Sequence, residues 1–398
     1  MSDAQPDEFA AEPQTPPLEV KAQRPFLRWA ALAIVVVIAY VSLFAAGGEF
    51  LLFAFSGVQI VPFVLLACSA YLGQKRRWAK GMTFAWWLIC SGLATFMSLI
   101  LALATLVDPQ IWIAISEATE VAPIDEMFTT GQLIRILLAV VGVTLAFILG
   151  ALCFLPIARR GFARLVPIDS QSFVHATALA TAITLSLLAF MPLVISGEPP
   201  LLAIMQDAGL DDSSPQEQLR SSLYGLIWAV PASLFAVGFP RKRTLMEACD
   251  RLGLTRPRSR QILLAAAGVL GLVVAMTVLE ALSLRLWNAM GWNTTDQKAF
   301  EMLFSFAVGP VGAVVIGLTA GLGEELVFRG VLQPRLGILI STLLFTGIHA
   351  LQYNFDGLLQ VLVLSLIFGL IRKFSNTTLS AIVHGGYDFT LLLFSWLT

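Results

Sequence analysis

The sequence predicts an all-α, polytopic membrane protein with about eleven transmembrane helices. Three observations carry that expectation. Of 398 residues, 57% are hydrophobic and 13% charged, with a mean hydropathy of +0.81, where a soluble domain carries roughly 25% charged residues. Apolar runs of about 20 residues, enough to cross a bilayer as a helix, recur along the chain. The loops between them alternate in charge. The lipid bilayer is the partner this composition requires, and a net charge of −1 offers nothing to attract nucleic acid.

Taken in order, residues 1–24 are polar, acidic and proline-rich. They bury too little to fold and are expected to form a disordered cytoplasmic tail. The tail is too long and too acidic to open a signal peptide, so 28–46 reads as an uncleaved span. Further spans fall near 51–73, 82–106, 133–157, 173–196 and 221–240, which makes 25–240 an N-terminal membrane region of about six spans. Residues 241–261 differ. Leu245, Ala248, Cys249 and Leu252 recur at helical spacing with charges between them, the pattern of a short amphipathic helix on the cytoplasmic face. Gly253 and Pro257 end this connector. Residues 262–398 form a C-terminal core, with spans near 262–286, 304–332, 337–353, 357–372 and 377–396. Cys68, Cys90, Cys153 and Cys249 have no metal-like spacing and read as small hydrophobes.

Charge sets the orientation. Lys75, Arg76, Arg77 and Lys80 follow the second span, Arg159, Arg160 and Arg164 the fourth, Arg241, Lys242 and Arg243 the sixth, and Arg372 and Lys373 the tenth. The alternate loops hold Asp108, Glu117, Glu120, Asp125 and Glu126, then Asp207, Asp211, Asp212 and Glu217. Positive loops stay in the cytoplasm, so the N-terminus is expected inside and the C-terminus outside.

Three apolar segments of the core carry groups that lipid rejects: GLGEELVFRG from Gly321, LLFTGIHA from Leu343 and AIVHGGYDF from Ala381. An ionisable residue inside a membrane helix is expensive and marks a functional site by default. Glu325 and Arg329 are four apart in the favourable order for an ion pair. Glu324 points roughly 100° away and has no partner on its own helix. Burial favours the neutral form of such a carboxyl, which suits a group that takes a proton from water and returns it. His384 and Asp388 are again four apart. Asp388 can orient the imidazole, ligate a metal beside it or stabilise a charged intermediate. Gly385 and Gly386 remove bulk for close helix packing or substrate access. Phe345, one turn before His349, can wall the pocket. Counting 1.5 Å per residue from Arg335 and Lys373 puts Glu324 at roughly 10–16 Å, His384 at roughly 12–16 Å and His349 at roughly 20 Å from the cytoplasmic edge. All three depths suit one pocket. His175 reads as a histidine hydrogen-bonded to a neighbouring helix, and Glu280 and Arg285 as boundary groups.

Two chemistries fit. Glu324, His349 and His384 can hold one divalent metal such as zinc with an open position. Equally, Glu324 can activate water without a metal while His349, His384 and Asp388 hold the water or the oxyanion. The HExxH helix of many zinc proteases does not occur.

These residues carry a family resemblance. EELVFR at 324–329 resembles the EExxxR motif of the CPBP family, the CAAX-prenyl-protease and bacteriocin-processing intramembrane proteases. FTGIH at 345–349 resembles its FxxxH motif, and HGGYD at 384–388 its HxxxN/D motif. The resemblance covers roughly 260–398 and implies an all-helical intramembrane endopeptidase acting on a membrane-associated protein or peptide. It implies a water-activating role for Glu324, a structural pair in Glu325 and Arg329, and catalytic roles for His349 and His384. Asp388 stands where prenyl-protease members carry Asn, a departure that weakens a CAAX substrate. With no organelle address visible, the expected home is a bacterial cytoplasmic membrane. Two other readings remain: a non-catalytic bacteriocin-immunity or scaffold protein of the same fold, and a proton-coupled transporter, against which the lack of an internal repeat argues.

Overall fold

In a computed structural model, residues 48–107, 111, 128–208 and 214–398 are described. The expected tail, the span 28–46, most of the first acidic loop and residues 209–213 of the second lie outside the described residues. The described residues fall within one compact unit, and every regular element among them is helical.

The first helices are α1 (Gly48–Val58), α2 (Val61–Gly73), α3 (Arg77–Leu106), α4 (Thr130–Leu152), α5 (Pro156–Phe162), α6 (Phe173–Ser196), α7 (Pro200–Ala208) and α8 (Pro215–Ala236). Their starts follow local chemistry. Thr129 and Gln132 close a capping box on α4, as Ser214 and Glu217 do on α8, each satisfying backbone N–H groups that a helix start leaves open. Then come the short α9 (Leu245–Leu252), α10 (Ser259–Met290) and α11 (Gln297–Leu303). Thr244 and Glu247 cap α9, and Gly253 ends it at φ 76°, where glycine alone avoids a Cβ penalty. Ala248 and Leu252 are buried while Leu245 and Met246 are exposed.

The chain then enters α12 (Pro310–Leu318), passes two π-helical turns at Thr319–Glu324 and Leu326–Leu332, and continues into α13 (Gln333–His349). This run takes in most of both spans expected at 304–332 and 337–353. Its joint is Gly337, at φ 78° and ψ 174°. The last helices are α14 (Phe355–Phe374) and α15 (Thr377–Leu397).

The chain is a multi-pass membrane protein. Among the described residues, six helices are long and apolar enough to cross a membrane, or seven if α1 and α2, bent by 45°, make one broken span. That is fewer than the expected eleven. One expected span lies outside the described residues, and two others share the run from Pro310 to His349. The helices α8 and α15 are not among the six: the first opens on PQEQLR and the second carries HGGYD at its middle.

Helix α6 is the hub, packed against α3, α4 and α13. Trp87, Leu179, Phe328, Leu336 and Phe345 share one hydrophobic cluster, so the N-terminal helices are packed directly onto the elements that carry the conspicuous polar groups. His175, near the start of α6, accepts the Asp169 backbone N–H at its Nδ1, 3.0 Å away, a bond to the loop that precedes its own helix rather than to the neighbouring helix expected.

Helix α15 crosses α12 and the first π turn through glycines. A Cβ on Gly385 would lie 2.2 Å from the Gly317 carbonyl oxygen, and one on Gly321 would lie 2.6 Å from that of Ala381. Backbone cannot yield there as a side-chain tip would. Gly385→Ala is expected to cost about 1–3 kcal/mol by overpacking, read as a lower melting temperature in detergent. An unchanged melting curve would contradict this close crossing.

Candidate active site

The site lies where the second π turn, the end of α13, and the middle of α14 and α15 meet. Glu325 and Arg329 are both fully buried. Arg329 Nε lies 3.4 Å from Glu325 Oε2, the pair expected from their spacing. Glu325 does more than pair. Its Oε1 faces His384 Nδ1 at 3.1 Å, and its Oε2 accepts from the Ser380 hydroxyl. A carboxylate removed from water thus meets one cation and two hydrogen-bonding groups, the compensation such burial requires. Arg329 donates from Nη2 to Ser365 Oγ at 3.2 Å and lies over the Phe345 ring at 4.9 Å, a cation–π arrangement.

His384 is held on both sides. Beyond Glu325, its Nε2 lies 3.5 Å from Asp388 Oδ2. Its ring stacks on Phe368, with centroids 4.4 Å apart. His349 uses Nδ1 to meet the Phe345 carbonyl at 2.7 Å, which leaves Nε2 free for another partner. Phe345 is the wall between the histidines: it stacks on His349 at 4.6 Å and meets His384 edge-on at 6.0 Å.

Glu324 stands apart from this network. Its Oε2 is buried and has no hydrogen-bond partner, while His384, Asp388 and Arg329 are its electrostatic neighbours. Buried polar atoms are nearly always paired, so this oxygen keeps its bonding capacity for a group from outside the protein. Glu324 ends the first π turn. Single-turn π segments are rare and recur at functional sites.

All seven residues singled out from the sequence therefore gather in one place. Four contributors were missed. Ser365, Phe368 and Ser380 are ordinary in sequence, 16 to 55 residues from the groups they touch, and no local signal marks them. The π turns were also missed, and Gly321 and Gly323 were their faint trace.

The fit to a metal can be tested on the donor set. Among the described residues, no group of three or more His, Cys, Asp or Glu side chains is arranged to hold a metal ion. His384 turns both ring nitrogens to carboxylates, and neither is left for a metal without breaking one of those contacts. As arranged, Glu324, His349 and His384 do not form a three-ligand site.

With this geometry in place, residues 306–390 match the family model described as type II CAAX prenyl endopeptidase Rce1-like. Over these residues the chain is similar to the Rce1-like family. The matched segment contains Glu324, Glu325, Arg329, Phe345, His349, His384 and Asp388. No curated protein and no solved structure matches the chain. The Rce1-like match supports a peptidase with a protein or peptide substrate in the membrane. Residues 1–305 lie outside it.

Proposed function

We propose that the protein is an intramembrane endopeptidase in which Glu324 activates the attacking water. The observation that carries this reading is the buried, unpartnered oxygen of Glu324 beside two positioned histidines in an Rce1-like region. Glu324 takes a proton from water as the oxygen attacks the peptide carbonyl, then returns it to the departing amine nitrogen. The oxyanion that forms is stabilised by preorganised donors. His384 fits that task. Glu325 fixes it at Nδ1, while Asp388 holds Nε2 more loosely at 3.5 Å, so Nε2–H can turn to the oxyanion. His349 donates its Nδ1–H to the Phe345 carbonyl, which leaves Nε2 as an acceptor that can take a hydrogen bond from the attacking water. Asp388 serves through His384, which gives a role to the residue standing where related motifs carry Asn. The mechanism uses protein groups alone, since the donor set does not fit a three-ligand metal site.

Positive loops also support a cytoplasmic location for the end of the bundle that carries them, with substrate entering from that side in a bacterial cytoplasmic membrane.

The test is hydrolysis of membrane-inserted peptides by the purified protein in proteoliposomes. His349→Ala and His384→Ala are each expected to lower turnover by at least roughly 100-fold, the contribution of one positioned acid–base or oxyanion group. Activity of the wild-type protein should survive chelators. Wild-type turnover in both variants would sink the assignment.

A further inference from the structure

Cationic side chains from several elements gather at the basic end of the bundle, around Tyr71 and Gly238. Arg335, 5% exposed, donates to the Tyr71 hydroxyl at 2.7 Å and to the Ala236 and Val331 carbonyls at 3.0 and 2.6 Å. Arg243 donates to the Val237 carbonyl. Lys242 Nζ lies 5.0 Å over the Tyr71 ring. Arg251, on α9, donates to the Gly330 carbonyl at 3.2 Å. A Cβ at Gly238 would lie 3.3 Å from both Arg243 Nη1 and the Tyr71 ring and 3.4 Å from Lys242 Cβ, so these groups converge on one backbone point.

The cations feel one another. Burial, then Arg335 and Arg243, pushes Arg251 down to about 10. Burial, then Lys75, Arg243 and Arg241, pushes Lys242 down. Among the described residues, no carboxylate lies within ion-pair distance of Lys242, Arg243, Arg251 or Arg335. Their bonds go to carbonyls, a phenol and the Gln74 side-chain oxygen, all neutral. Partly buried positive charge without a counter-charge is costly, and an anion placed there would relieve it.

The location says which anion. Leu245 and Met246, 41% and 70% exposed, stand on α9 between Arg243 and Arg251. Exposed apolar residues beside cations are the signature of a helix lying at the lipid interface. Lipid phosphates occupy that level, and basic pockets between transmembrane helices bind them.

We propose that Arg243, Arg251 and Arg335, with Lys242, form a site for the phosphate of an anionic lipid headgroup. The site is linked to the candidate active site. Arg251 bonds Gly330, the residue after Arg329, and Arg372 donates to the Arg329 carbonyl at 3.2 Å. Headgroup binding therefore braces the π turn from its outer end. The proposal does not depend on the peptidase assignment.

The test uses the full chain in a neutral detergent, titrated separately with phosphatidylglycerol, phosphatidylcholine and inorganic phosphate. Bound lipid is counted by native mass spectrometry, and melting temperature is read in parallel. Phosphatidylglycerol is expected to stay bound and raise the melting temperature, and phosphatidylcholine to do neither. Arg243→Gln with Arg251→Gln should weaken phosphatidylglycerol binding at least roughly tenfold, as losing charge-assisted hydrogen bonds implies. Arg251→Lys should keep most of the binding, and Lys298→Gln, on α11, should keep all of it. If the double variant does not fold, the single Arg243→Gln carries the same comparison. Undiminished phosphatidylglycerol binding in these glutamine variants, or equal binding of phosphatidylcholine, would overturn the site. An equal rise with inorganic phosphate alone would overturn the lipid as its ligand.

Discussion

Glu324→Gln is expected to abolish peptide hydrolysis while leaving the protein folded. Gln keeps the shape of the side chain but cannot take a proton from water, and general-base catalysis is worth roughly 100- to 10,000-fold. Turnover should fall by that factor, with little change in KM, because the lost interaction acts on the transition state. Glu324 Oε2 makes no protein hydrogen bond that the substitution would break. The melting temperature should therefore hold steady or rise, since an unpartnered buried carboxyl is itself costly. This pairing of outcomes separates a catalytic role from a structural one. A variant with wild-type turnover would remove Glu324 from the mechanism. A variant that fails to fold would show instead that Glu324 supports the π turn.

Arg329→Met should have the largest effect on stability. It removes one partner of a fully buried ion pair, and breaking such a pair from one side costs about 3–5 kcal/mol because the remaining charge stays out of water. Ser380 and His384 still bond Glu325, so the loss should fall at the lower end of that range. His384 should also suffer, because Glu325 holds its Nδ1. The double variant Arg329→Met with Glu325→Gln removes both charges and should recover part of the stability without recovering activity. Unfolding in detergent, followed by circular dichroism, reads all three proteins. If Arg329→Met melts with the wild type, the pair contributes nothing to the fold, and Glu325 matters only through His384.

Some of this was legible in the chain because it is local. Glu325 with Arg329, His384 with Asp388 and Phe345 with His349 are each four residues apart, and helical geometry alone puts each pair on one face. The helical character of the membrane region followed from its apolar runs, since a backbone in lipid must satisfy its own polar groups. Even the joint between two expected spans, near 333–336, fell next to Gly337, where the chain breaks at φ 78°.

Other features exist only because distant segments meet. The bond from Glu325 to His384 spans 59 residues, and the Ser380 hydroxyl reaches Glu325 across 55. No spacing rule predicts either, because their geometry comes from how closely α15 crosses the first π turn, and that closeness rests on Gly321 meeting Gly385. Sequence periodicity assigns Glu325 one partner on its own helix, whereas packing gives it three. Packing likewise left Glu324 with none, and brought Lys242, Arg243, Arg251 and Arg335 together from separate elements. What the amino-acid order determined by itself was which costly groups enter the membrane and which neighbours share a turn. Which of those groups neutralise one another, and which remain free to act, was decided by tertiary contact, because in a low-dielectric interior the cost of a polar group depends on partners that only the folded chain supplies.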